Sequence, residues 1–312
     1  MNTTSNKAGH LAALFTIIIW GTTFISTKVL LVDFKPVEIL FCRFLIGFLA
    51  LSLYPMRLKK VGARRELIFA AAGLCGICLY YLLENISLTY TLASDAGVII
   101  SSAPFFTAIF SFIFSKGKEK PRARFFVGFA AAMVGIGLIS FGGGSAESGA
   151  LGGRLLGDLL ALLAAAVWGL YSILTKKISG FGCPTIPATR RTFFYGILFM
   201  IPALFIFDFE FKPALFADPK YLLNMLFLGL LASALCFVSW GFSVGKLGAV
   251  TASVYIYAVP VVTLIASALI LGEKITPCAL AGAALTIAGL FIGGKAPEKT
   301  APDTMNKGDQ HE

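Results

Sequence analysis

Long apolar runs separated by short polar segments dominate the pattern along this chain. Each of ten runs approaches the roughly 20 helical residues that are needed to cross a hydrocarbon layer. A strict alternation of apolar and polar residues, which would indicate a transmembrane barrel, does not occur. The pattern therefore predicts an all-α integral membrane protein with ten transmembrane helices. They lie approximately at 10–31, 36–54, 67–88, 93–115, 124–141, 155–177, 184–207, 220–244, 247–271 and 276–294.

The composition agrees with a chain whose main solvent is lipid. Of its 312 residues, 57% are apolar and only 13% are charged, and the mean hydropathy is +0.85. A soluble protein is about a quarter charged. Disordered, coiled-coil and nucleic-acid-binding proteins are therefore excluded, and the expected partners are the lipid bilayer and a small-molecule substrate. A net charge of +10 could indicate an anionic partner or a membrane topology, and the distribution of the charges along the chain decides between them.

Lysine and arginine lie mainly on one side of the predicted membrane. If the N-terminus is cytoplasmic, the inner segments hold 17 of the 26 positive residues and the outer segments hold six. Positive residues concentrate in cytoplasmic loops, so the protein is expected in the inner (plasma) membrane with both termini in the cytoplasm. Residues 1–9 and 295–312 are predicted to be cytoplasmic tails, the second of them disordered.

The chain contains an internal repeat. Four landmarks recur at an offset of 148 and four more at an offset of 156, and a Gly-rich linker, 142–154, separates the copies. The predicted five-helix domains are 10–141 and 155–294. Because five is an odd number, the second copy is inverted, as in many secondary transporters. The matching residues are Trp20, Lys28, Pro36 and Arg43 with Trp168, Lys176, Pro184 and Arg191, and Ala93, Ala96, Pro104 and Pro121 with Ala249, Ala252, Pro260 and Pro277.

Three segments of the chain resemble a known family. They are Trp20-Gly21-Thr22-Thr23-Phe24 through Pro36 to Arg43, Ala93-Ser94-Asp95-Ala96-Gly97 through Pro104, and Gly248-Ala249-Val250-Thr251-Ala252-Ser253 through Pro260 to Gly272-Glu273-Lys274. Both halves are similar to EamA domains of the drug/metabolite transporter superfamily. The resemblance implies a ten-helix permease, commonly an exporter of amino acids or other small metabolites. It also implies a central cavity walled mainly by the first, third, fourth, sixth, eighth and ninth spans.

Two matched helices each carry a polar and aromatic stripe. Trp20, Thr23 and Phe24 share one helical face with Thr27, and the repeat places Trp168 and Tyr171 at the same spacing as Trp20 and Thr23. An indole N–H near the middle of a span has neither water nor headgroup to bind, so these residues are expected to line a substrate cavity. The alternative is close helix packing through the adjoining glycines, with the hydroxyl groups bonded to backbone carbonyls.

Further candidates lie on the third, fourth and ninth spans. Glu84, one turn beyond Tyr80, is an intramembrane carboxylate and hence a candidate to bind a substrate ammonium or carry a proton. Its alternative position is the outer headgroup region. Pro104 and Pro260 interrupt their spans and are candidate hinges, or else static kinks. The side chains near these breaks that are expected to contact substrate are Ser101, Tyr255 and Tyr257.

Nothing in the sequence indicates an enzyme. The two histidines, His10 and His311, lie in the tails, and Cys75-Gly-Ile-Cys78 has no second pair to complete a metal site. No metal, cofactor or catalytic residue is expected. Arg43 and Arg191 lie inside matched spans, and structural pairing is favoured for them over anion binding.

The fifth and tenth spans are rich in small residues, which predicts a packing scaffold and a candidate homodimer face. The sequence as a whole predicts a secondary permease that exports small amphipathic metabolites, such as amino acids, by alternating access. The alternative is a passive, channel-like facilitator for small solutes.

Overall fold

Every predicted span is helical in the computed structural model of the protein, which describes residues 3–56, 61–90, 93–117, 121–142, 151–271 and 275–293. We number the helices in chain order and count an interrupted helix as one. They are α1 (Thr3–Leu30), α2 (Pro36–Ser52), α3 (Ala63–Tyr90), α4 (Ala93–Ile100 and Ala103–Phe114), α5 (Ala123–Gly142), α6 (Leu151–Ser179), α7 (Thr185–Ile206), α8 (Pro219–Leu247), α9 (Ala249–Ser253, the 3-10 turn Val254–Ala258 and Val259–Leu271) and α10 (Pro277–Gly293).

Six of these helices are long and apolar enough to cross a membrane: α1, α3, α6, α7, α8 and α9. The second segment of α4 and the helices α5 and α10 are apolar but shorter within the described residues. The all-α, multi-pass architecture is thereby confirmed. Ten crossings and the inversion of the second half stay predictions.

Two helix ends differ from the predicted domain bounds. Helix α1 begins at Thr3, inside the segment 1–9 that was expected to be a tail, and α6 begins at Leu151, inside the expected linker. Hydropathy reports where a helix meets lipid, whereas backbone hydrogen bonding can extend the helix beyond the apolar run. The linker residues 143–150 and the tail 295–312 lie outside the described residues.

The two halves of the chain interlock rather than pack side by side. Helix α1 packs against α8 and α9, and its counterpart α6 packs against α3 and α4. Likewise α2 packs against α8 while α7 packs against α3, and the pairs α2–α7 and α5–α10 join matched helices. Each of these contacts in one half has a counterpart between the matching helices of the other half. This correspondence supports the repeat inferred from sequence.

Helices α3 and α8 share an irregularity that the sequence did not predict. Each contains a π-helical turn, Leu74–Leu79 in α3 and Phe227–Leu235 in α8. Single π-helical turns within α-helices frequently occur at functional sites. Their presence in two matched helices is further support for a structural repeat.

Small residues bring α5 and α10 into backbone contact. A Cβ atom built on Gly135 would lie 2.5 Å from the Gly282 carbonyl oxygen, and one built on Gly289 would lie 2.6 Å from the Gly128 carbonyl oxygen. These distances leave no room for any side chain. The expected packing scaffold is thus formed within one chain, and the homodimer through α5 and α10 stays a prediction.

Candidate functional site

A small cavity lies where helices of both halves meet, with a volume of about 40 Å³. This exceeds the roughly 10–15 Å³ that one water molecule needs, but it is far below the roughly 300–1,000 Å³ of typical small-molecule pockets. The cavity is therefore too small in this structure to hold a typical small-molecule ligand. Its lining comes from α1 (Trp20, Thr23, Phe24), α3 (Tyr80, Tyr81, Glu84), α4 (Gly97, Ile100, Ser101, Ala103), α6 (Trp168) and α9 (Ile256, Val259).

Helix α1 presents the predicted stripe to this cavity. Trp20, Thr23 and Phe24 all line it, because positions i, i+3 and i+4 share one face of a helix. The Thr23 hydroxyl donates to the Trp20 carbonyl oxygen at 2.7 Å, and Trp20 Nε1 donates to the Ala232 carbonyl oxygen at 3.0 Å. Trp20 therefore contributes to the cavity and to the attachment of α1 to α8.

Aromatic rings form a continuous cluster beside the cavity. The ring centroids of Trp20 and Trp168 are 5.1 Å apart in an edge-to-face arrangement, and Tyr80 lies 4.7 Å from Trp168. Behind them Trp240 is fully buried, 5.3 Å from Trp20, and Phe237 lies 5.8 Å from Trp20. Such offset pairs are worth about 0.5–1.5 kcal/mol each beyond the area that they bury. All three tryptophans of the chain belong to this cluster.

Glu84 is the one carboxylate that lines the cavity among the described residues. It is 7% exposed and its Oε2 atom has no hydrogen-bond partner. A buried acceptor without a partner costs about 1–3 kcal/mol or more when it is charged. Its position inside the protein opposes the alternative that Glu84 lies among lipid headgroups.

Arg43 lies behind the cavity wall. It is 2% exposed, its Nε donates to Ser233 Oγ at 3.0 Å, and its guanidinium carbon lies 4.4 Å from the centroid of the Tyr81 ring. One of its terminal nitrogens, Nη2, has no partner. The matched Arg191 instead pairs with Glu66 at 3.1 Å. Both arginines are thus engaged in contacts between helices.

The interruption of α4 positions Ser101 at the cavity. The helix stops after Ile100, and Ser101 and Ser102 form a turn before Pro104 opens the second segment. The Ser101 hydroxyl lines the cavity and donates to the Gly97 carbonyl oxygen at 2.7 Å. In α9 the 3-10 turn Val254–Ala258 precedes Pro260 in the same way. Both predicted hinge prolines therefore lie at real breaks in their helices.

Three residues expected at the cavity do not line it. Tyr171 packs across Gly76 of α3, where an added Cβ would lie 2.2 Å from its ring. The Tyr255 hydroxyl is hydrogen-bonded to His10 Nδ1 at 2.7 Å, and Tyr257 is fully buried beside Phe129. In α9 Ile256 faces the cavity, and its neighbours Tyr255 and Tyr257 point to either side of it because successive residues of a helix are about 100–120° apart.

Several lining residues carried no recognisable signal in the sequence. Ile100, Ile256 and Val259 are ordinary apolar residues in apolar runs, so only the assembled fold shows which of their faces is inward. Trp240 lies only four residues before the end of the predicted span 220–244, so the mid-span criterion that selected Trp20 did not apply to it. No group of three or more potential metal ligands occurs among the described residues.

The chain is similar in sequence to named transporters and in fold to a solved structure. A probable terminal-alkyne amino-acid exporter of Streptantibioticus cattleyicolor is 28% identical over 90% of this chain and 91% of its own. A probable amino-acid metabolite efflux pump of Salmonella typhimurium is 27% identical over 92% of this chain and 95% of its own. A solved crystal structure that is 17% identical has the same fold, with a TM-score of 0.73 over 92% of this chain and 97% of that one.

The model of the EamA-like transporter family matches twice, at residues 7–141 and 155–293. The two matched segments are the two halves of the fold, whose helices pack against one another. Both halves contribute residues to the lining of the central cavity. The chain is therefore a multi-pass membrane transporter that belongs to the EamA-like transporter family.

Proposed function

We propose that the protein is a secondary permease that exports small amphipathic metabolites, such as amino acids or related compounds, by alternating access. In this proposal ten helices form two inverted five-helix repeats in the inner membrane, with both termini in the cytoplasm. The observation that carries it is the central cavity, to which both halves contribute and which contains one buried carboxylate among aromatic rings. A metabolite would fit only after the walls move apart, as an alternating-access cycle requires.

Polar contacts hold the halves together at the end of the fold that is proposed to face outward. The Glu38 carboxylate is 1% exposed and accepts from the backbone N–H groups of Lys35 at 2.8 Å and Glu210 at 3.2 Å. Lys35 Nζ in turn donates to the Asp208 carbonyl oxygen at 2.7 Å. The turn between α1 and α2 is thereby joined to the loop between α7 and α8.

A second set of contacts joins helices at the opposite end. Arg190 donates to the carbonyl oxygens of Tyr54 at 3.0 Å and Met56 at 2.8 Å, just beyond the end of α2, and Arg191 pairs with Glu66 of α3. Charge-assisted bonds of this kind are about twice as strong as neutral ones. Contacts that join the halves at both ends, together with the small central cavity, support a state that is closed at its centre and from which one end opens at a time.

Counterflow tests this mechanism. Proteoliposomes preloaded with an unlabelled substrate should transiently accumulate the labelled form above its external concentration, because each carrier cycle exchanges one molecule for another. The substrate is first found by screening labelled amino acids, nucleosides and cationic drugs, with protein-free liposomes as the control. Flux that rises linearly with concentration and shows no counterflow would instead indicate the channel-like facilitator.

Cysteine accessibility tests the proposed orientation. In a background without native cysteines, which removes the exposed Cys278, a cysteine at Asp218 should react with an impermeant reagent in intact cells. A cysteine at Lys116 should react only after the membrane is permeabilised. The reverse pattern of labelling would place the termini outside and refute the orientation derived from the positive charges.

A further inference from the structure

Two residues that line the cavity each have a buried polar atom that the protein leaves without a partner. Glu84 Oε2 and Trp168 Nε1 are both buried and both lack a hydrogen bond, and both residues line the cavity. Nearly all buried polar atoms in proteins are paired, because an unpaired one costs free energy. Among the described residues six buried side-chain atoms lack a partner, and these two are the ones whose residues line the cavity, where a ligand that reaches them would gain both contacts.

The surroundings of Glu84 favour a cation. Trp20, Trp168, Tyr80 and Tyr81 line the same cavity, and the centroids of the Tyr80 and Trp168 rings are only 4.7 Å apart. The face of an aromatic ring carries negative potential and attracts an ammonium group, and it also provides apolar contact area. A carboxylate beside several rings therefore complements a positive group on an apolar body.

Arg43 lies beside this site without lining it. Its guanidinium packs on the Tyr81 ring at 4.4 Å and is not part of the cavity lining. Since Tyr81 separates Arg43 from the cavity, the charge that a ligand contacts directly is the negative one.

We infer that the cavity recognises a protonated primary amine on an apolar body, with the ammonium group bound to Glu84 and the apolar part among the aromatic rings. A carboxylate on the same molecule is not required. The inference names the substrate class of the proposed permease and rests on that function only for how the ligand crosses the membrane. It extends to amino acids through their ammonium group, and it excludes organic acids that lack one.

Binding to the purified, full-length protein tests this inference. All three tryptophans lie in the aromatic cluster, so intrinsic tryptophan fluorescence reports on the site. Phenethylamine, phenylalanine and 3-phenylpropionate share one apolar body and differ in charge, and they do not emit in the tryptophan range. At neutral pH the first two should give saturable signals, and 3-phenylpropionate should bind at least about tenfold more weakly, because only the amines place a positive charge on the carboxylate.

Variants of the carboxylate provide the decisive comparison. Glu84→Gln should weaken phenethylamine binding roughly 10- to 100-fold, the range expected for losing a hydrogen bond between charged groups. Glu84→Asp keeps the charge and should retain the preference for phenethylamine over 3-phenylpropionate. The control Glu298→Gln removes a carboxylate near the C-terminus of the chain and should leave binding unchanged.

Three results would overturn the inference. They are equal binding of 3-phenylpropionate and phenethylamine, no saturable signal with phenethylamine, and unchanged affinity in a folded Glu84→Gln variant. Failure of the transport proposal would look different: phenethylamine would bind but show no counterflow. Saturable counterflow of 3-phenylpropionate would support the transport proposal and contradict the inference that the substrate is an amine.

Discussion

Glu84→Gln is expected to abolish the dependence of transport on a proton gradient while leaving substrate exchange intact at saturating concentrations. Glu84 is the one carboxylate at the cavity in the described part of the chain, and the described histidine, His10, lies away from it beside Tyr255. A proton and an ammonium group compete for one carboxylate, so an inward proton gradient would drive an amine outward. Glutamine keeps the shape of the side chain but cannot release a proton.

The size of this effect follows from the gradient. For a one-for-one exchange of a monovalent amine and a proton, a difference of one pH unit corresponds to roughly a tenfold accumulation ratio. The wild-type protein should approach that ratio in proteoliposomes, and Glu84→Gln should stay near a ratio of one. Glu298→Gln, near the C-terminus of the chain, is the matched control. If Glu84→Gln keeps the wild-type dependence, another ion couples transport or the protein is a uniporter.

Gly135→Val is expected to be the most damaging single substitution for stability among the changes considered. The added side chain would meet the Gly282 carbonyl oxygen at 2.5 Å and the Thr286 backbone nitrogen at 2.6 Å, and backbone atoms cannot turn aside as a flexible side chain can. Overpacking costs about 1–3 kcal/mol in soluble cores, and a clash with backbone places this case near 3 kcal/mol. Separation of α5 from α10 should lower the thermal unfolding midpoint in detergent.

Gly137→Val supplies an internal control two residues further along α5. A Cβ atom at Gly137 meets nothing within 4 Å, so valine there changes the same helix without touching α10. Its unfolding midpoint should stay close to that of the wild type. Equal destabilisation by both variants would show that valine in α5, and not the clash with α10, causes the loss.

Helical periodicity was sufficient to predict one wall of the site but not the opposite one. On α1 the regular 3.6-residue period places Trp20, Thr23 and Phe24 on one face, and the structure brings all three to the cavity. On α9 Ile256 takes the inward position, so Tyr255 and Tyr257, one residue to either side, turn away from the cavity. The run Val254–Ala258 is apolar or aromatic throughout, so it contains no signal for which of its residues faces inward.

Contacts between residues far apart in the chain could not be predicted from a local sequence pattern either. The Arg43 side chain is satisfied in part by Ser233, which lies 190 residues away on a helix with its own irregular turn. Matching of the halves identified Arg43 and Arg191 as equivalents, yet their partners differ, Ser233 for one and Glu66 for the other. A repeat predicts equivalent positions in a fold, whereas the chemistry at each position depends on the side chains that the partner helices supply.

The interlocking of the two halves sets the order in which the site can be assembled during synthesis. The bond from Trp20 Nε1 to the Ala232 carbonyl oxygen joins residues 212 positions apart, so the first helix stays without this partner until the eighth has been translated. Trp168 and the α9 walls likewise follow Glu84 in the chain. The nascent first half therefore holds its carboxylate and its indole in the membrane before the groups that enclose them exist, and the cavity is complete only when the ninth helix has been inserted.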